Sequence, residues 1–233
     1  MFGGDAADLT IDYCFEFEDG TQRSFDICLD PETLEQKLPR DAVYPEWVQL
    51  DVEKCDNCPL KKESSEHCPV AARLAQVVDC FGEVLSHDEI TVQVTTGERT
   101  VSKQTTAQRG VGSMLGVLFA TSGCPHTTFL KPMARYHLPF STEEETIFRV
   151  AGMYLLSQYF KHQAGESVDW DMHELVKHYD DLHKVNKGIA KRIRHVSSKD
   201  APVNAVILLD MFTNLMPFVI GDRLDEVAPL YKK

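Results

Sequence analysis

The spacing of apolar residues changes near residue 105 of this 233-residue chain. Before that point, apolar and polar side chains alternate in several segments, as they do in half-buried strands of antiparallel sheets. After it, apolar residues recur every third or fourth position, the spacing of helices that bury one face. The change predicts an α+β fold, with N-terminal antiparallel β-hairpins and one helix followed by a C-terminal helical bundle. We expect residues 1–104 to form the first part and residues 105–233 the bundle, integrated as one unit.

The first hairpin is predicted from the alternation along residues 9–17 and 25–29. The two strands keep their apolar residues on one face only if the loop has three residues, 18–20, with its glycine in the left-handed conformation. This register places Cys14 opposite Ser24. The two cysteines of this hairpin, Cys14 and Cys28, are therefore not neighbours, and no disulfide is expected between them.

A second hairpin and a further strand are predicted between the first hairpin and residue 105. Alternating apolar residues lead into a turn at Thr96 and Gly97, and a two-residue turn there places Val92 opposite Val101. Residues 46–51 are expected to add a third strand to the first hairpin.

Helices are predicted wherever apolar residues follow the three- and four-residue spacing. A capping-box pattern, Ser-Thr-Glu-Glu-Glu, marks the start of one of them at residue 141. The last helix is the most apolar, but polar residues and a proline interrupt it, so we expect a buried core helix and not a membrane span. The predicted helices cover residues 69–85 and 106–121, and others begin near 141, near 169–171 and at 201, the last ending at 217.

Three of the seven cysteines, Cys55, Cys58 and Cys68, lie within fourteen residues. A Cys-x-x-Cys pair presents two thiolates from one tight turn, which suits zinc or an iron–sulfur cluster. The pair needs further ligands from elsewhere in the chain. Cys68 is the nearest one, and the spacing therefore predicts three ligands of one metal site.

The fourth metal ligand is predicted to be Cys124, ahead of His126 and His67. Prolines 69 and 125 directly follow Cys68 and Cys124, and proline is favoured in the first turn of a helix. Both sulfurs are therefore expected at helix N-termini, where the positive end of the helix dipole stabilises a thiolate. Because Cys124 belongs to the helical part, a shared metal would join it to the sheet part.

Three chemical interpretations of these cysteines remain open: a zinc site, a [4Fe–4S] cluster and free thiols. A closed site with four protein ligands would hold structural zinc. A cluster, or a metal with an open position, would be redox-active or catalytic. Zinc is the leading prediction and the iron–sulfur cluster is the alternative.

Two polar segments, residues 103–110 and 126–137, carry the other candidate binding groups. In the first, cations and hydroxyls lie where a strand gives way to a helix, which is a plausible site for a small anion, although a capped helix with solvated charges explains them too. No catalytic residue is predicted, because a metal would occupy the Cys124 thiolate in any cysteine–histidine pair. The candidate ligand-binding residues are Lys103, Thr105, Arg109, His126, Lys131, Arg135 and His137.

The composition bears on partners and on compartment. The formal net charge is −12, from 36 acidic and 24 basic residues. This balance argues against a nucleic-acid partner and against attachment to a membrane surface, and leaves a small anionic ligand or a protein partner. The N-terminus has neither the basic nor the apolar region of a signal peptide. An odd number of cysteines favours thiols and metal ligands over disulfides, so a cytoplasmic location is expected.

Six motifs are distributed over nearly the whole chain. The chain resembles an uncharacterised bacterial protein family of unknown function, and the resemblance implies one integrated unit but no activity. We therefore predict a cytoplasmic metal-binding protein with a ligand-binding or regulatory role, or alternatively an iron–sulfur redox protein or enzyme using the same cysteines. The motifs are Phe17-Glu-Asp-Gly20, Cys55-Asp-Asn-Cys58-Pro59, His67-Cys-Pro-Val70, Thr105-Thr-Ala-Gln-Arg-Gly110, Ser122-Gly-Cys-Pro-His-Thr127 and Met133-Ala-Arg-Tyr-His-Leu-Pro-Phe140.

Overall fold

A four-stranded antiparallel sheet forms the N-terminal part of the computed structural model, which describes residues 8–39, 42–222 and 228–231. The spatial order of its strands is β2-β1-β3-β4, so the two hairpins join through their first strands. Helices make up the part that follows, and the predicted α+β fold is confirmed. The strands are β1 (Leu9–Phe17), β2 (Gln22–Leu29), β3 (Glu89–Thr96) and β4 (Thr100–Thr106).

The first hairpin has the predicted register. Cys14 lies opposite Ser24. The Phe17 N–H donates to the Thr21 carbonyl over 2.9 Å, so the loop has three residues. Gly20 has a φ of +81°, a conformation that only glycine adopts without strain.

The second hairpin has a register two residues away from the predicted one. Val101 lies opposite Val94, and Val92 lies opposite Lys103. The Thr96 N–H donates to the Arg99 carbonyl over 2.9 Å, so the turn residues are 97 and 98. A shift of two residues keeps every side chain on the same face of the sheet, so the alternation of apolar residues cannot distinguish the two registers.

Two helices cover one face of the sheet. Phe81, at the end of the first of them, packs its ring edge-on against Phe15, with 4.9 Å between the ring centroids. Gly110 lets the second helix approach closely, because a Cβ there would lie 2.8 Å from a methyl carbon of Val92. These helices are α1 (Pro69–Phe81) and α2 (Ala107–Ala120), and β3 and β4 lie between them in the chain.

Four further helices form the C-terminal part and pack on α2 mainly through the last of them. The predicted capping box is confirmed: the Glu145 N–H donates to Thr142 Oγ1, and the Thr142 N–H donates to the Glu145 carboxylate. The helices are α3 (Lys131–Arg135), α4 (Glu143–Gln163), α5 (His173–Arg194) and α6 (Ala201–Asp222).

The last helix, α6, is more exposed than the sequence indicates. Residues 201–220 are long and apolar enough to cross a membrane by length and composition, with a mean hydropathy of 1.7, a property that core helices of soluble proteins also have. About a third of this stretch, 33%, is buried. One face packs on α2 and α5, and the other exposes Met211, Leu215 and Phe218.

Residues 46–51 do not form the predicted strand. They contain a short 3₁₀ helix, Glu46–Val48, and a single bridge between Gln49 and His67. The Cys68 N–H donates to the Val48 carbonyl over 2.9 Å, and the Leu50 N–H donates to the Glu66 carbonyl. Other backbone carbonyls of this segment accept hydrogen bonds from a helix and are not available to extend the sheet, as described below.

Candidate functional site

The Cys-x-x-Cys turn lies directly beside the turn that contains Cys124. The Cys58 N–H donates to the Cys55 carbonyl over 3.0 Å, which closes the first turn. Within this turn, the Asn57 carbonyl accepts a hydrogen bond of 2.8 Å from Nε2 of His126, two residues after Cys124. One hydrogen bond therefore links the two cysteine-bearing turns, although 66 positions separate Cys58 from Cys124 in the sequence.

The same turn is held against α5. Nδ2 of Asn57 donates to the carbonyl and to the carboxylate of Asp181, over 3.2 and 3.0 Å. Further along α5, Gly188 lies so close to Cys55 that an added Cβ would be 2.7 Å from its Sγ. The absence of a side chain at Gly188 thus allows the helix backbone to contact the sulfur.

The other two cysteines differ in their relation to helices. Cys68 is the N-cap of α1 and Pro69 begins that helix, as predicted. The prediction that Cys124 lies at the N-terminus of an α-helix is wrong, because Cys124 precedes a turn and then a 3₁₀ helix, Thr128–Leu130. The Cys124 backbone is held instead by its own turn, in which Thr127 donates to the Cys124 carbonyl.

The four sulfurs are close enough for their charges to interact. Burial raises the pKa of Cys55 to about 12, and charge on Cys68, Cys124 and Cys58 contributes in the same direction. Burial likewise raises the pKa of Cys124 to about 11, with Cys68 and Cys58 adding to the increase. All four are free thiols, and within the described ranges no three Cys, His, Asp or Glu side chains already stand in ligating positions.

The high thiol pKa values argue against nucleophilic catalysis at Cys124. A catalytic cysteine needs a lowered pKa, since the thiolate is the nucleophile. His126 does not activate the sulfur, because its Nε2 donates to Asn57 and its Nδ1 lies 3.8 Å from the Asp181 carboxylate. Nε2 of His137 is hydrogen-bonded to the Tyr13 hydroxyl, so this histidine does not activate the sulfur either.

Next to the cysteines lies a buried cation, Arg192 of α5, with 1% of its surface exposed. Its guanidinium donates to the carbonyls of Trp47, Gln49 and Leu50 over 2.7 to 2.9 Å. These bonds hold residues 47–50 on the helix and explain why the segment adds no strand to the sheet. The charge of Arg192 also acts on Cys55, where it favours the thiolate.

A cavity of about 550 Å³ runs along α2 and reaches the end of β4. Four of the predicted ligand-binding residues line it: Lys103, Thr105, Arg109 and His137. The structure therefore brings the end of β4 and the 133–140 segment to one cavity. Helix α5 contacts both the cavity and the cysteines. Leu182 and Asn186 line the cavity, and the Val185 carbonyl lies 4.0 Å from Cys55 Sγ.

The other three predicted residues do not line this cavity. His126 joins the two cysteine-bearing turns, as described above. Lys131 donates to the Thr33 carbonyl and forms an ion pair of 3.1 Å with Glu35. Arg135 is exposed and lies over the ring of Tyr136.

A family model described as a domain of unknown function, DUF6901, matches residues 11–232. The chain belongs to the DUF6901 family. The predicted membership of an uncharacterised family is thereby confirmed. No curated protein and no solved structure matches the chain.

One wall of the cavity in this DUF6901 chain contains a short hydrogen-bonded network. The hydroxyl of Tyr13 lies 2.6 Å from Nε2 of His137 and 3.1 Å from the hydroxyl of Ser113. Burial, together with the nearby charge of Arg149, lowers the pKa of His137 to about 4. The imidazole is therefore neutral at pH 7, with one ring nitrogen used by Tyr13 and the other left for the cavity.

Replacing His137 by glutamine is expected to make the protein less sensitive to acid. Since the pKa is lowered from 6.5 to about 4, the unfolded chain binds a proton between these values that the folded protein does not. The contribution of His137 to the free energy of unfolding is therefore fully present above pH 6.5 and is lost as the pH falls toward about 4. For a partly exposed ring this loss is on the order of 2 kcal/mol. Thermal melting of both proteins from pH 7 to pH 4 measures this loss. The exposed His162→Gln variant is the control, and equal acid sensitivity of His137→Gln and wild type would contradict the expectation.

Sequence reasoning missed several residues that shape this DUF6901 site. Arg192 lies three residues after Ile189 on the apolar face of α5, unlike Lys191 and Arg194, and this position was the available signal of burial. Gly188 lies in the middle of a helix, where glycine costs about 1 kcal/mol relative to alanine, and that cost was the available signal of a close contact. Asn186, on the apolar face of α5, gave a similar signal.

Proposed function

We propose that Cys55, Cys58, Cys68 and Cys124 bind one metal ion and that this ion is zinc. The observation that carries the proposal is that the two cysteine-bearing turns are joined by the His126–Asn57 hydrogen bond, close enough for the charges of Cys58, Cys68 and Cys124 to act on Cys55. His67 and His126 are weaker candidates for the fourth position. His67 packs on the ring of Tyr44, and His126 is occupied by Asn57.

The chemistry of the donor set fits zinc. Four cysteines are a common ligand set of structural zinc, and such a site carries a net charge of about −2. A buried positive charge compensates for part of it, and Arg192 supplies one with no carboxylate ion pair within the described part of the chain. Because the thiol pKa values are raised, zinc would displace protons, and its affinity would fall at low pH. The sulfurs would have to rotate toward the ion.

The role of such an ion would be structural. A site closed by four protein ligands leaves no open position for a substrate. It would fasten the Cys55–Cys58 turn and the start of α1 to the Cys124 turn, which follows α2. The proposal places no catalytic step at the metal.

Metal analysis of the purified protein tests this proposal. We expect one zinc per chain and no visible colour in wild type, and a loss of zinc with a lower melting temperature in Cys58→Ser. Cys80→Ser is the matched control, because Cys80 lies on α1 outside the cluster and should leave the zinc content unchanged. Wild-type zinc content in Cys58→Ser would remove that residue from the site.

The alternative is a [4Fe–4S] cluster on the same four cysteines, which would make the protein a redox protein or an enzyme. Protein purified anaerobically distinguishes the two. Brown protein with iron and acid-labile sulfide supports the cluster, whereas colourless protein with stoichiometric zinc supports the structural site. Negligible amounts of both metals in native protein would contradict both proposals.

We further propose a ligand-binding or regulatory role in the cytoplasm, with a small anion bound near Lys103, Thr105 and Arg109. The net charge of −12 disfavours nucleic acid and anionic membrane surfaces as partners. α5 is the element through which metal and ligand could influence each other, because it contacts Cys55 and lines the cavity. Comparing ligand affinity in zinc-loaded and zinc-free protein measures this coupling.

A further inference from the structure

We propose that the cavity along α2 binds an amphipathic organic anion, an apolar chain that carries one carboxylate or comparable anionic group. The inference rests on the proposed ligand-binding role and identifies the chemical class of the ligand. The anionic group would lie at the start of α2 and the apolar chain would follow the helix toward its end.

The cavity has the length and the opening for a chain. It extends along α2 from Arg109 to Ala120, which corresponds to about 16 Å of helix. Two glycines on this side of the helix widen it. A Cβ at Gly116 would have no heavy atom within 4 Å, and one at Gly112 would meet only the Ala205 carbonyl, at 3.8 Å. Each glycine costs helix stability, and at these positions the resulting space belongs to the cavity.

The walls beyond the first turns of α2 are apolar. Side chains from α2, from the 130–140 segment and from the two last helices meet there. Burying an apolar chain against such walls contributes roughly 25 cal/mol per Å² of apolar surface. Examples of these wall residues are Val117, Leu130, Met133, Leu182, Leu209 and Phe212.

The charged groups near the start of α2 favour an anion. Lys103 and Arg109 line the cavity there, and the Lys103 ammonium lies 5.9 Å from the centre of the Phe140 ring. Arg149 also lines the cavity, and two of its hydrogen bonds go to the carbonyls of Met133 and Tyr136. Glu143 lines the cavity as well, so three cations and one carboxylate leave a net positive charge there, which is suited to one anionic group.

An independent observation that points to a ligand comes from inside the cavity. Asn186 is 1% exposed and lines the cavity, and its Nδ2 donates to Thr213 Oγ1 over 3.0 Å. Its Oδ1 has no hydrogen-bond partner in the described parts of the chain. An unsatisfied buried acceptor costs about 1–3 kcal/mol, which a ligand with a hydroxyl group could recover.

Calorimetric titration of the full chain tests the proposal with four probes: decanoate, 10-hydroxydecanoate, decanol and acetate. We expect decanoate to bind at least about tenfold more tightly than decanol, and acetate not to bind at the same concentrations. The hydroxylated chain should bind at least as tightly as decanoate. Arg109→Ala should weaken decanoate by about tenfold and leave decanol unchanged, because only the anion contacts the cation.

A pair of glycine variants separates the cavity from the surface. Gly116→Leu should abolish decanoate binding by filling the cavity, whereas Gly152→Leu, on an exposed face of α4 with open space around it, should not. If acetate and decanoate bound with equal affinity, the proposal that the ligand has an apolar chain would be overturned, but the proposed small-anion site would remain. Decanoate binding that survives Gly116→Leu would overturn the location. No binding by any probe would contradict both the ligand class and the proposed anion site, independently of the zinc content.

Discussion

Replacing Arg192 by methionine is expected to lower the free energy of unfolding by about 4 kcal/mol, since each buried polar group left unsatisfied costs about 1–3 kcal/mol. The methionine side chain keeps the packing of the arginine stem but donates no hydrogen bond. The buried carbonyls of Trp47 and Leu50 would then lose this donor, whereas the Gln49 carbonyl would keep the Val52 N–H. Urea denaturation at a fixed metal content measures the loss.

Two further variants define what the Arg192 measurement means. Lys191→Met changes the neighbouring exposed cation and should alter the unfolding free energy by less than about 0.5 kcal/mol. Arg192→Lys keeps a charge but not the planar fork of donors, so it should fall between wild type and Arg192→Met. If Arg192→Met is too unstable to purify, Arg192→Lys supplies the measurement. A change of under about 1 kcal/mol in Arg192→Met would contradict the assigned role.

Gly188→Ala is expected to reduce zinc affinity by at least about tenfold, the scale on which changes next to metal ligands usually act. The added Cβ would lie 2.7 Å from Cys55 Sγ, well inside van der Waals contact, so the sulfur must move. Cys55 can rotate about a single bond, and alanine favours the helix more than glycine does. The stability of the metal-free protein should therefore change by no more than about 1 kcal/mol. Competition with a chromophoric zinc chelator gives the affinity.

Gly152→Ala is the matched control for this experiment. It is also a helical glycine, but no heavy atom lies within 4 Å of the added Cβ. It should raise stability by up to about 1 kcal/mol and leave zinc affinity unchanged. Wild-type zinc affinity in Gly188→Ala would show that Cys55 does not ligate the ion, even if the chain binds zinc elsewhere.

Local patterns were sufficient for the first hairpin and for most of the helices and strands, but the strand predicted at residues 46–51 does not form. The capping box fixes the start of α4 because Thr142 and Glu145 satisfy each other's backbone donors within one turn. The three-residue loop follows from the side-chain alternation, since a loop shorter by one residue would turn one strand's apolar face to solvent. The second hairpin was mispredicted because its two registers satisfy the same alternation.

The candidate site was predictable only in part. The spacing of Cys55, Cys58 and Cys68 indicates a shared site, because one turn and one short loop present them. The junction of a strand and a helix predicted three residues that do line the cavity: Lys103, Thr105 and Arg109. Three other predicted residues, His126, Lys131 and Arg135, contact other parts of the protein. The contacts of Arg192 and Asn186 could not be identified from their neighbours in the sequence, because they depend on what packs against α5.

The sequence by itself determined where strands and helices lie, which cysteines could act together, and that the chain is an α+β member of an uncharacterised family. Those properties depend on residues a few positions apart or on the pattern of the whole chain. Only the tertiary structure placed the Cys124 turn beside the Cys55–Cys58 turn, set Gly188 against Cys55, and opened a cavity along α2. Contacts between distant segments depend on how helix and sheet faces pack, and periodicity identifies a buried face without identifying the element that covers it.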